Sequence, residues 1–323
     1  MKAILTGAAG FIGFHTASRL LGLGWNIVGV DNLNAYYQVS LKQARLNQLK
    51  KFEKFRFIKS DIADAKNLHQ QLANDLDADI IIHLAAQAGV RYSIENPATY
   101  VDVNVQGQIS IFELANKTNK KVPVVYASSS SVYGANSKIP FCESDPVDQP
   151  VSVYAATKRA GELLAGSYAH VHKIQSSGLR FFTVYGPWGR PDMAPWLFTD
   201  ALIAGRPIQV FNHGKMKRDF TYIDDIVDGV CGVVKLILNS PEKTAPIYNL
   251  GNNQPIELGR FIEVIEQATG CKAKQEFKPM PPADVPMTYA NIDLAAHDFG
   301  FQPKISIEEG IHNFVEWFKN YEQ

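Results

Sequence analysis

The sequence predicts an α/β protein, built as a doubly wound parallel sheet with a smaller mixed α/β region at its C-terminal end. Three observations support this fold class. Strand-like runs alternate with helix-length segments over the first 180 residues, these runs are nearly continuous in Val, Ile and Leu, and a glycine-rich segment follows the first run. Continuous apolar runs are typical of parallel strands that helices cover on both faces. Such a sheet binds ligands at the carboxyl ends of its strands.

The elements of the first domain follow in order from these patterns. Apolar residues at three- to four-residue spacing predict helices over 11–23 and 100–115. Asn96 and Pro97 read as an N-cap followed by a proline in the first helical turn, which marks where the second of these helices begins. A further helix is expected to begin near Ser152. The predicted strands are 2–6, 26–31, 55–59, 79–84, 122–127 and 174–180.

The pattern changes after about residue 182, where Pro and Gly cluster and indicate loops. The segment 222–250 is predicted to return to the first domain as a helix plus a strand. We therefore expect a first domain over 1–181, to which 222–250 returns, and a second region over 182–323. The elements expected in the second region are helices over 193–204, 258–269 and 306–320 and strands over 208–211 and 274–277.

Composition and charge argue against several classes of protein. Lys+Arg and Asp+Glu are 32 each, and no concentrated basic excess indicates a nucleic-acid or anionic-membrane partner. No stretch approaches 18 apolar residues, and Met1 leads directly into a strand, so we expect neither a transmembrane helix nor a signal peptide. Cysteines and histidines lack metal-ligand spacing, so we expect no metal. Three cysteines, an odd number, suit a reducing compartment, and we expect a cytoplasmic protein.

The glycine-rich segment Thr6–Gly13 predicts a dinucleotide site. It follows the first strand and opens the first helix, where glycines allow a tight turn, close approach of the backbone to a pyrophosphate and close helix–strand packing. Asp31 ends the second strand and suits a ribose 2′-hydroxyl while repelling a 2′-phosphate, which favours NAD over NADP. The alternatives are a plain turn for the glycines and a strand-end turn residue for Asp31. The basic segment 42–51 is interpreted as a solvated helix face, with contact between Lys42 and a phosphate as the alternative.

Tyr154 and Lys158 are candidate catalytic residues. Their i, i+4 spacing on the predicted helix places them on one face, one turn apart. A tyrosine is a poor base at neutrality, and a neighbouring ammonium and a positive nicotinamide ring both favour its phenolate. Ser129, from the serine block 128–131 at the end of the fifth strand, is the candidate to bridge Tyr154 and a substrate oxygen. A YxxxK pair alone is typical of solvated helix faces, and four serines alone of a polar loop, so the combination carries the prediction.

The GxxGxxG spacing, the serine block and the YxxxK pair resemble the extended short-chain dehydrogenase/reductase family. The resemblance implies that 1–181 is an NAD-binding Rossmann domain and that 182–323 binds a sugar nucleotide. It also implies tightly bound NAD that is regenerated in each turnover, and a homodimer formed through 100–115 and 152–170. The implied cofactor-binding residues are Gly7, Gly10, Phe11, Ile12, Gly13, Asp31, Asn32, Asp61, Ile62, Leu84, Ala85, Ala86, Asn104, Tyr154, Lys158 and Phe182.

Three further segments, 85–93, 183–194 and 218–225, resemble nucleotide-sugar 4-epimerases and among them the UDP-glucuronate 4-epimerases. The resemblance implies 4-epimerisation of a UDP-sugar through a 4-keto intermediate, with UDP-glucuronate giving UDP-galacturonate. Arg190 is the first candidate to hold the sugar carboxylate and Arg91 the second, while Arg218 is expected at the diphosphate; each could instead be a surface charge paired with Asp or Glu. The implied substrate-binding residues are Arg91, Ser129, Ser130, Thr183, Arg190 and Arg218.

Two alternatives stay open at this point. Family members that decarboxylate or dehydrate their substrates typically carry an acidic residue just before the Val132-Tyr133-Gly134 triplet, where this chain has Ser131. The dehydratases usually carry an aspartate one position earlier as well, where this chain has Ser130. Epimerisation therefore remains, but its substrate could be UDP-glucose or UDP-N-acetylglucosamine, which need no carboxylate anchor. The chain could also be a catalytically silent dinucleotide-binding regulator, although such regulators commonly lose the tyrosine or lysine that this chain retains.

Overall fold

A seven-stranded parallel sheet forms the centre of the computed structural model, which describes residues 1–118, 120–136, 138–239, 246–281 and 284–321. The strand order is β10-β6-β5-β4-β1-β2-β3. The chain therefore builds β1 to β3 outward to one side and then crosses over to place β4 beside β1. This arrangement confirms the predicted fold class. The strands are β1 (Lys2–Thr6), β2 (Asn26–Asp31), β3 (Phe55–Lys59), β4 (Ile80–His83), β5 (Val124–Ser129), β6 (Ser176–Phe181) and β10 (Ile247–Leu250).

Helices cover both faces of this sheet. Alternate strand residues, such as Ile4 and Leu5, enter two separate apolar clusters, which explains why the strands have no polar face. Helices α1 and α9 pack on one face, and α3, α6 and α7 pack on the other. The helices of this domain are α1 (Phe11–Gly22), α2 (Val39–Leu49), α3 (Ala65–Gln71), α4 (Tyr92–Glu95), α5 (Pro97–Val101), α6 (Gly107–Lys117), α7 (Val153–His172) and α9 (Ile223–Asn239).

The predicted return of the chain to the large sheet is visible in α9 and β10. β10 pairs in parallel with β6, so that Ile247 lies opposite Gly178. Residues 240–245 of the predicted segment, and 322–323 at the end of the predicted second region, lie outside the described residues. The division into two functional domains stays a prediction.

The rest of the described residues form two small sheets and four helices. In one small sheet the two strands predicted for this region, β8 and β12, pair in parallel; neither this pairing nor the three-stranded sheet β11-β9-β7 was predicted. No helix among the described residues is both long and apolar enough to cross a membrane. The elements are β7 (Thr183–Tyr185), α8 (Ala194–Ile203), β8 (Pro207–Phe211), β9 (Lys217–Tyr222), β11 (Pro255–Glu257), α10 (Leu258–Thr269), β12 (Lys274–Lys278), α11 (Asp293–Phe299) and α12 (Ile307–Tyr321).

Two sequence expectations need correction. The fifth strand was expected to end at Ala127, yet β5 continues to Ser129 because its serines pair with Arg180 and Phe181 of β6. The basic segment 42–51 is not a fully solvated helix face, since Lys42 is 5% exposed and Arg45 is fully buried. Their chains point inward from α2 because both have polar partners in the interior.

Candidate active site

A cavity of about 820 Å³ opens at the carboxyl ends of β1, β2, β4 and β5, where the strand order reverses. A doubly wound sheet is expected to bind its ligand in this crevice. The cavity continues between the large sheet and the second region, reaching β7, α8 and β9. Of the predicted site residues, only Asp61 and Asn104 do not line it.

The glycine-rich turn fits the pyrophosphate of a dinucleotide. Gly7 has a φ of +76°, and a Cβ there would lie 2.7 Å from the Ala85 nitrogen, so only glycine permits this contact between the turn and the chain after β4. A Cβ on Gly13 would lie 2.0 Å from the Gly7 oxygen. Gly10 caps α1 without a side-chain hydrogen bond, which leaves the first N–H groups of the helix available to an anion.

Asp31 lies at the end of β2 and lines the cavity beside the turn. Its carboxylate accepts the N–H of Ala9 at 3.1 Å and of Leu33 at 2.8 Å. Burial raises the pKa of Asp31, and these two hydrogen bonds together with the nearby Lys42 oppose that rise. Each oxygen retains a lone pair for a further donor such as a ribose hydroxyl. Lys42 donates to Asn34 through two bonds, so a phosphate contact is not shown.

Asp61 and Asn104 act on the cavity through other residues. Asn32 donates to Asp61 at 2.9 Å, so Asp61 fixes a residue that lines the cavity. Asn104 lies in a π-helical segment between α5 and α6 and binds the N–H and carbonyl of Gln87 at 2.8 and 3.0 Å. It also donates to Thr157 on α7 at 3.1 Å. Because these bonds engage its amide group, Asn104 holds the chain after β4 against α7.

Tyr154 and Lys158 enter the cavity from the first two turns of α7. Ser152 caps this helix, and its hydroxyl accepts the Ala155 N–H at 3.1 Å. The Tyr154 ring packs edge-on against Tyr100, with 6.0 Å between centroids, and Tyr100 is anchored to the Gly89 carbonyl at 2.6 Å. Helix geometry and this ring contact together fix the direction of the phenol.

Burial has the largest effect on the pKa values of Tyr154 and Lys158. It raises the pKa of Tyr154, while a hydrogen bond with Ser129 and the charge of Arg190 lower it. Burial also lowers the pKa of Lys158 to about 8, and Glu162 opposes this effect. The sequence assigned the stabilisation of the phenolate to Lys158, which stays a prediction; in the structure the cation that lowers the pKa of Tyr154 is Arg190.

The four serines have different partners. Ser128 donates to the buried carboxylate of Glu162 at 2.7 Å, so its hydroxyl is engaged. Ser129 reaches Tyr154 and accepts the Ser131 N–H at 3.2 Å. Ser130 and Ser131 begin a 3₁₀ turn after β5 and line the cavity. Ser129 is therefore the serine whose interaction lowers the pKa of Tyr154.

An ion-pair network that the sequence did not reveal lies beneath this group. Glu162, one turn beyond Lys158, accepts two hydrogen bonds from Arg180 of β6 at 2.8 and 2.9 Å. Arg180 also donates to the Tyr133 hydroxyl at 3.0 Å. Both side chains of the ion pair are almost fully buried. The i, i+4 spacing of Lys158 and Glu162 was the available signal, but the partner strand could not be read from it.

The arginines on the opposite wall are paired with carboxylates to different degrees. Arg190 donates to Asp192 from Nε at 3.0 Å and from Nη2 at 2.5 Å. Arg91 pairs with Asp284 at 3.1 Å. Arg218 binds the Lys217 carbonyl at 3.0 Å, and burial lowers its pKa. Thr183 and the buried Phe182 line the cavity between these arginines and α7.

Asp219, next to Arg218, is a second residue whose role the sequence did not indicate. Its carboxylate is fully buried and accepts the N–H groups of Asn252 at 2.5 Å, Asn253 at 3.1 Å and Ala290 at 3.0 Å. Asp219 thereby joins β9 to two distant loops. The hydrogen bond that the Tyr36 hydroxyl donates to Asp192 at 3.0 Å was also not predicted.

A glycine-rich turn at the crossover of a doubly wound sheet, with a tyrosine, a serine and a lysine in the same cavity, defines a dinucleotide-dependent enzyme of the Rossmann class. The chain belongs to the NAD dependent epimerase/dehydratase family, which it matches over residues 3–251.

Individual relatives and solved structures show which members of the family this chain is similar to. The chain is 45% identical to a probable UDP-glucuronate 4-epimerase of Rhizobium meliloti, over 99% of this chain and 98% of the relative. The crystal structure of UDP-glucuronic acid 4-epimerase from Bacillus cereus with UDP-glucuronic acid and NAD superposes with a TM-score of 0.89, at 31% identity, covering 99% of this chain and 100% of that one. UDP-glucose 4-epimerase from Thermotoga maritima also gives 0.89, at 26% identity and full coverage of both chains.

Proposed function

We propose that this protein is an NAD-dependent UDP-sugar 4-epimerase that converts UDP-glucuronate to UDP-galacturonate. The observation that carries the proposal is the cavity that brings Tyr154, Ser129 and Lys158 together with Arg190 at the carboxyl edge of the sheet. The family match and the similarity to UDP-glucuronate 4-epimerases support it. The predicted cofactor residues around the glycine-rich turn and Asp31 are assigned to NAD, and Lys158 to its nicotinamide ribose.

The chain's own residues move the proton. Tyr154 accepts the proton of the sugar 4-hydroxyl as phenolate, and Ser129 holds both oxygens in line through its hydroxyl. When bound, NAD would supply the hydride chemistry at C4, as acceptor from one face of the sugar and as donor to the opposite face. Tyr154 then gives its proton back to the 4-oxygen of the inverted sugar. Arg190 favours the phenolate, against the burial that favours the phenol, and we assign the same effect to Lys158 when it is protonated.

Arg190 is assigned to the carboxylate of the sugar. Its Nε and Nη2 bind Asp192, and among the described residues its Nη1 has no hydrogen-bond partner. A planar guanidinium held on one edge by an aspartate is fixed in direction and can present its remaining N–H groups to a second carboxylate. Thr183 contributes a hydroxyl on the same wall, and Arg218 is assigned to the diphosphate, with Arg91 at the rim of the cavity.

The serine block also bears on the fate of the 4-keto sugar. Ser130 and Ser131 place hydroxyls, not carboxylates, where acidic residues would assist decarboxylation or dehydration. The keto intermediate therefore meets no carboxylate at these two positions, and return of the hydride is favoured. We expect product without accompanying pentose.

The test is to incubate the purified protein with UDP-glucuronate, without added NAD, and to identify the products by NMR. UDP-galacturonate without pentose is expected, and Tyr154→Phe should lower kcat by about 10³-fold or more.

Arg190→Ala should raise KM for UDP-glucuronate at least tenfold while leaving the inhibition constant of UDP-glucose unchanged. Arg206→Ala, an exposed arginine paired with Asp200, is the control. Conversion of UDP-glucose alone would instead assign a neutral sugar, and equal activity of Tyr154→Phe would refute the catalytic assignment.

We also propose a homodimer through residues 100–115, which span the end of α5, the π-helical segment and most of α6, and through residues 152–170 of α7 and its N-cap. These helices contact each other, and they expose Val101 and Leu163, with Ile94 on the adjoining α4. Exposed apolar side chains on neighbouring helices are typical of an interface between subunits. Leu163→Glu should shift the molar mass from dimer to monomer in light scattering, and an unchanged mass would contradict this.

A cytoplasmic location is proposed from the three cysteines, all of which carry free thiols.

A further inference from the structure

Arg45 of α2 places its charged group in the interior, beside the glycine-rich turn. Its side chain is fully buried, and among the described residues it has no carboxylate within ion-pair distance. All its partners are neutral oxygens. Burial of a charge without an ion pair is costly, and the Asp31 carboxylate offsets that cost only from beyond ion-pair distance. The hydrogen bonds of Arg45 must therefore account for much of its stabilisation.

One side of Arg45 holds the glycine-rich turn. Nη1 donates to the Ala9 carbonyl at 2.9 Å and to the Tyr37 hydroxyl at 2.7 Å. The N–H of Ala9 donates to Asp31 at the same time. Ala9 is therefore fixed from both directions, by a carboxylate at its nitrogen and a guanidinium at its oxygen.

The other side of Arg45 holds the loop that carries Arg190. Nε and Nη2 donate to the Trp188 carbonyl at 3.2 and 2.6 Å, and Nη2 also donates to the Gly189 carbonyl at 3.1 Å. His15 of α1 binds the preceding Pro187 carbonyl at 2.9 Å. Three successive carbonyls of this loop are thus held by side chains of the first domain.

The backbone of this loop explains why a strong donor is needed. Trp188 has a φ of +61°, a left-handed conformation that costs a non-glycine residue of order 1 kcal/mol or more. This conformation accompanies carbonyls 188 and 189 that both face Arg45. Arg190 follows directly, lines the cavity, and lowers the pKa of Tyr154.

We propose that Arg45 is a positioning residue that fixes Arg190, with the glycine-rich turn as its support. It links the wall of the cavity assigned to the dinucleotide with the loop assigned to the sugar carboxylate. Only a fork with several N–H donors can hold Ala9, Trp188 and Gly189 together, which a lysine cannot reproduce. The inference rests on the proposed function, because the assay uses UDP-glucuronate.

The test is a double-mutant cycle of Arg45→Lys with Arg190→Ala, read as kcat and KM for UDP-glucuronate. We expect Arg45→Lys to raise KM about tenfold in the wild-type background and less than twofold in the Arg190→Ala background, because the residue acts through Arg190. The inhibition constant of UDP-glucose, which has no carboxylate, should stay within twofold. Arg206→Lys serves as the matched control at an exposed arginine.

The inference would be overturned if the increases in KM of the two single variants multiplied in the double variant. It would also be overturned if Arg45→Lys raised the inhibition constant of UDP-glucose as much as the KM for UDP-glucuronate. If Arg45→Lys does not fold, as judged by circular dichroism and thermal unfolding, the same cycle with Tyr37→Phe decides, since this variant removes one bond to Nη1 and retains the ring. For Tyr37→Phe we expect a smaller rise in KM, about twofold to fourfold, and no such rise in the Arg190→Ala background. The wild-type protein is assayed in parallel as a control. If it is inactive on UDP-glucuronate, the proposed function is refuted and the inference loses its basis.

Discussion

Lys158 lies between Tyr154 and Glu162 on one face of α7, and its environment sets the charge in the candidate active site. Burial lowers the pKa of Lys158 to about 8, and the Glu162 carboxylate limits this decrease. Sequence spacing alone predicted the proximity of Tyr154 and Lys158. It could not predict Glu162 as a regulator of that charge, because the carboxylate is held by Arg180 from a strand 18 residues further along the chain.

Glu162→Gln should therefore move the alkaline limb of kcat to lower pH. Without the carboxylate, the pKa of Lys158 falls below its value of about 8, and the ammonium is lost at a lower pH. Leaving Arg180 buried without its partner should also destabilise the fold by about 3–5 kcal/mol. The measurement is a pH profile of kcat together with urea unfolding.

The control for this prediction is Glu113→Gln, because Glu113 binds Tyr168 of the same helix away from the cavity. Its pH profile should match that of the wild type. A shift of the same size in both variants, or none in Glu162→Gln, would contradict an electrostatic role for Glu162.

The elements that form the site were predicted to different extents. The strands of the large sheet could be predicted because burial on both faces leaves continuous apolar runs, and α1 and α7 because of their spacing and caps. The strands β7, β9 and β11 could not, since they are short, mix polar and apolar residues, and exist through pairing with distant partners. Arg45 was misassigned for a related reason: its carbonyl partners near residue 188 leave no pattern in α2 itself.

The N-cap of α7 offers a test at this scale. Ser152→Ala removes the acceptor of the Ala155 N–H, so we expect a loss of about 1 kcal/mol in the free energy of unfolding. Ser152→Asp keeps an acceptor at the cap and should restore most of this stability. Equal destabilisation by both changes would show that the hydroxyl does not act as a cap.

The whole molecule should lose stability in acid partly through His83. This histidine is buried at the end of β4 and hydrogen-bonded to Thr6 at 2.7 Å. Burial lowers its pKa to about 3, below the value of an unfolded chain. A lowered folded-state pKa means that its contribution is present above about pH 6.5 and is lost as the pH falls toward 3.

We expect His83 to account for about 2 kcal/mol of lost stability between pH 7 and pH 5. The glutamine of His83→Gln can keep a hydrogen bond to Thr6 but does not titrate. This variant should therefore lose about 2 kcal/mol less stability than the wild type between pH 7 and pH 5. The comparison is made by urea unfolding at both pH values. Parallel losses in the two proteins would show that His83 is not neutral in the folded state.

The architecture explains why one cavity serves both the cofactor and the substrate: the crossover of the large sheet forms one wall, and β7, α8 and β9 form the other. Sequence patterns predicted the first wall with most of its residues. The second wall depends on Asp219 and Asp284, whose partners are set by the tertiary fold, and these contacts were not predicted.

The most direct test of the central claim uses UDP-glucuronate that carries deuterium at C4 of the sugar. If the hydrogen at C4 leaves and returns within the cavity beside Tyr154, the UDP-galacturonate formed should retain the deuterium at C4, and NMR should detect none in the solvent. Loss of the label to water with inversion at C4 would contradict the account, since it would require removal of that hydrogen as a proton.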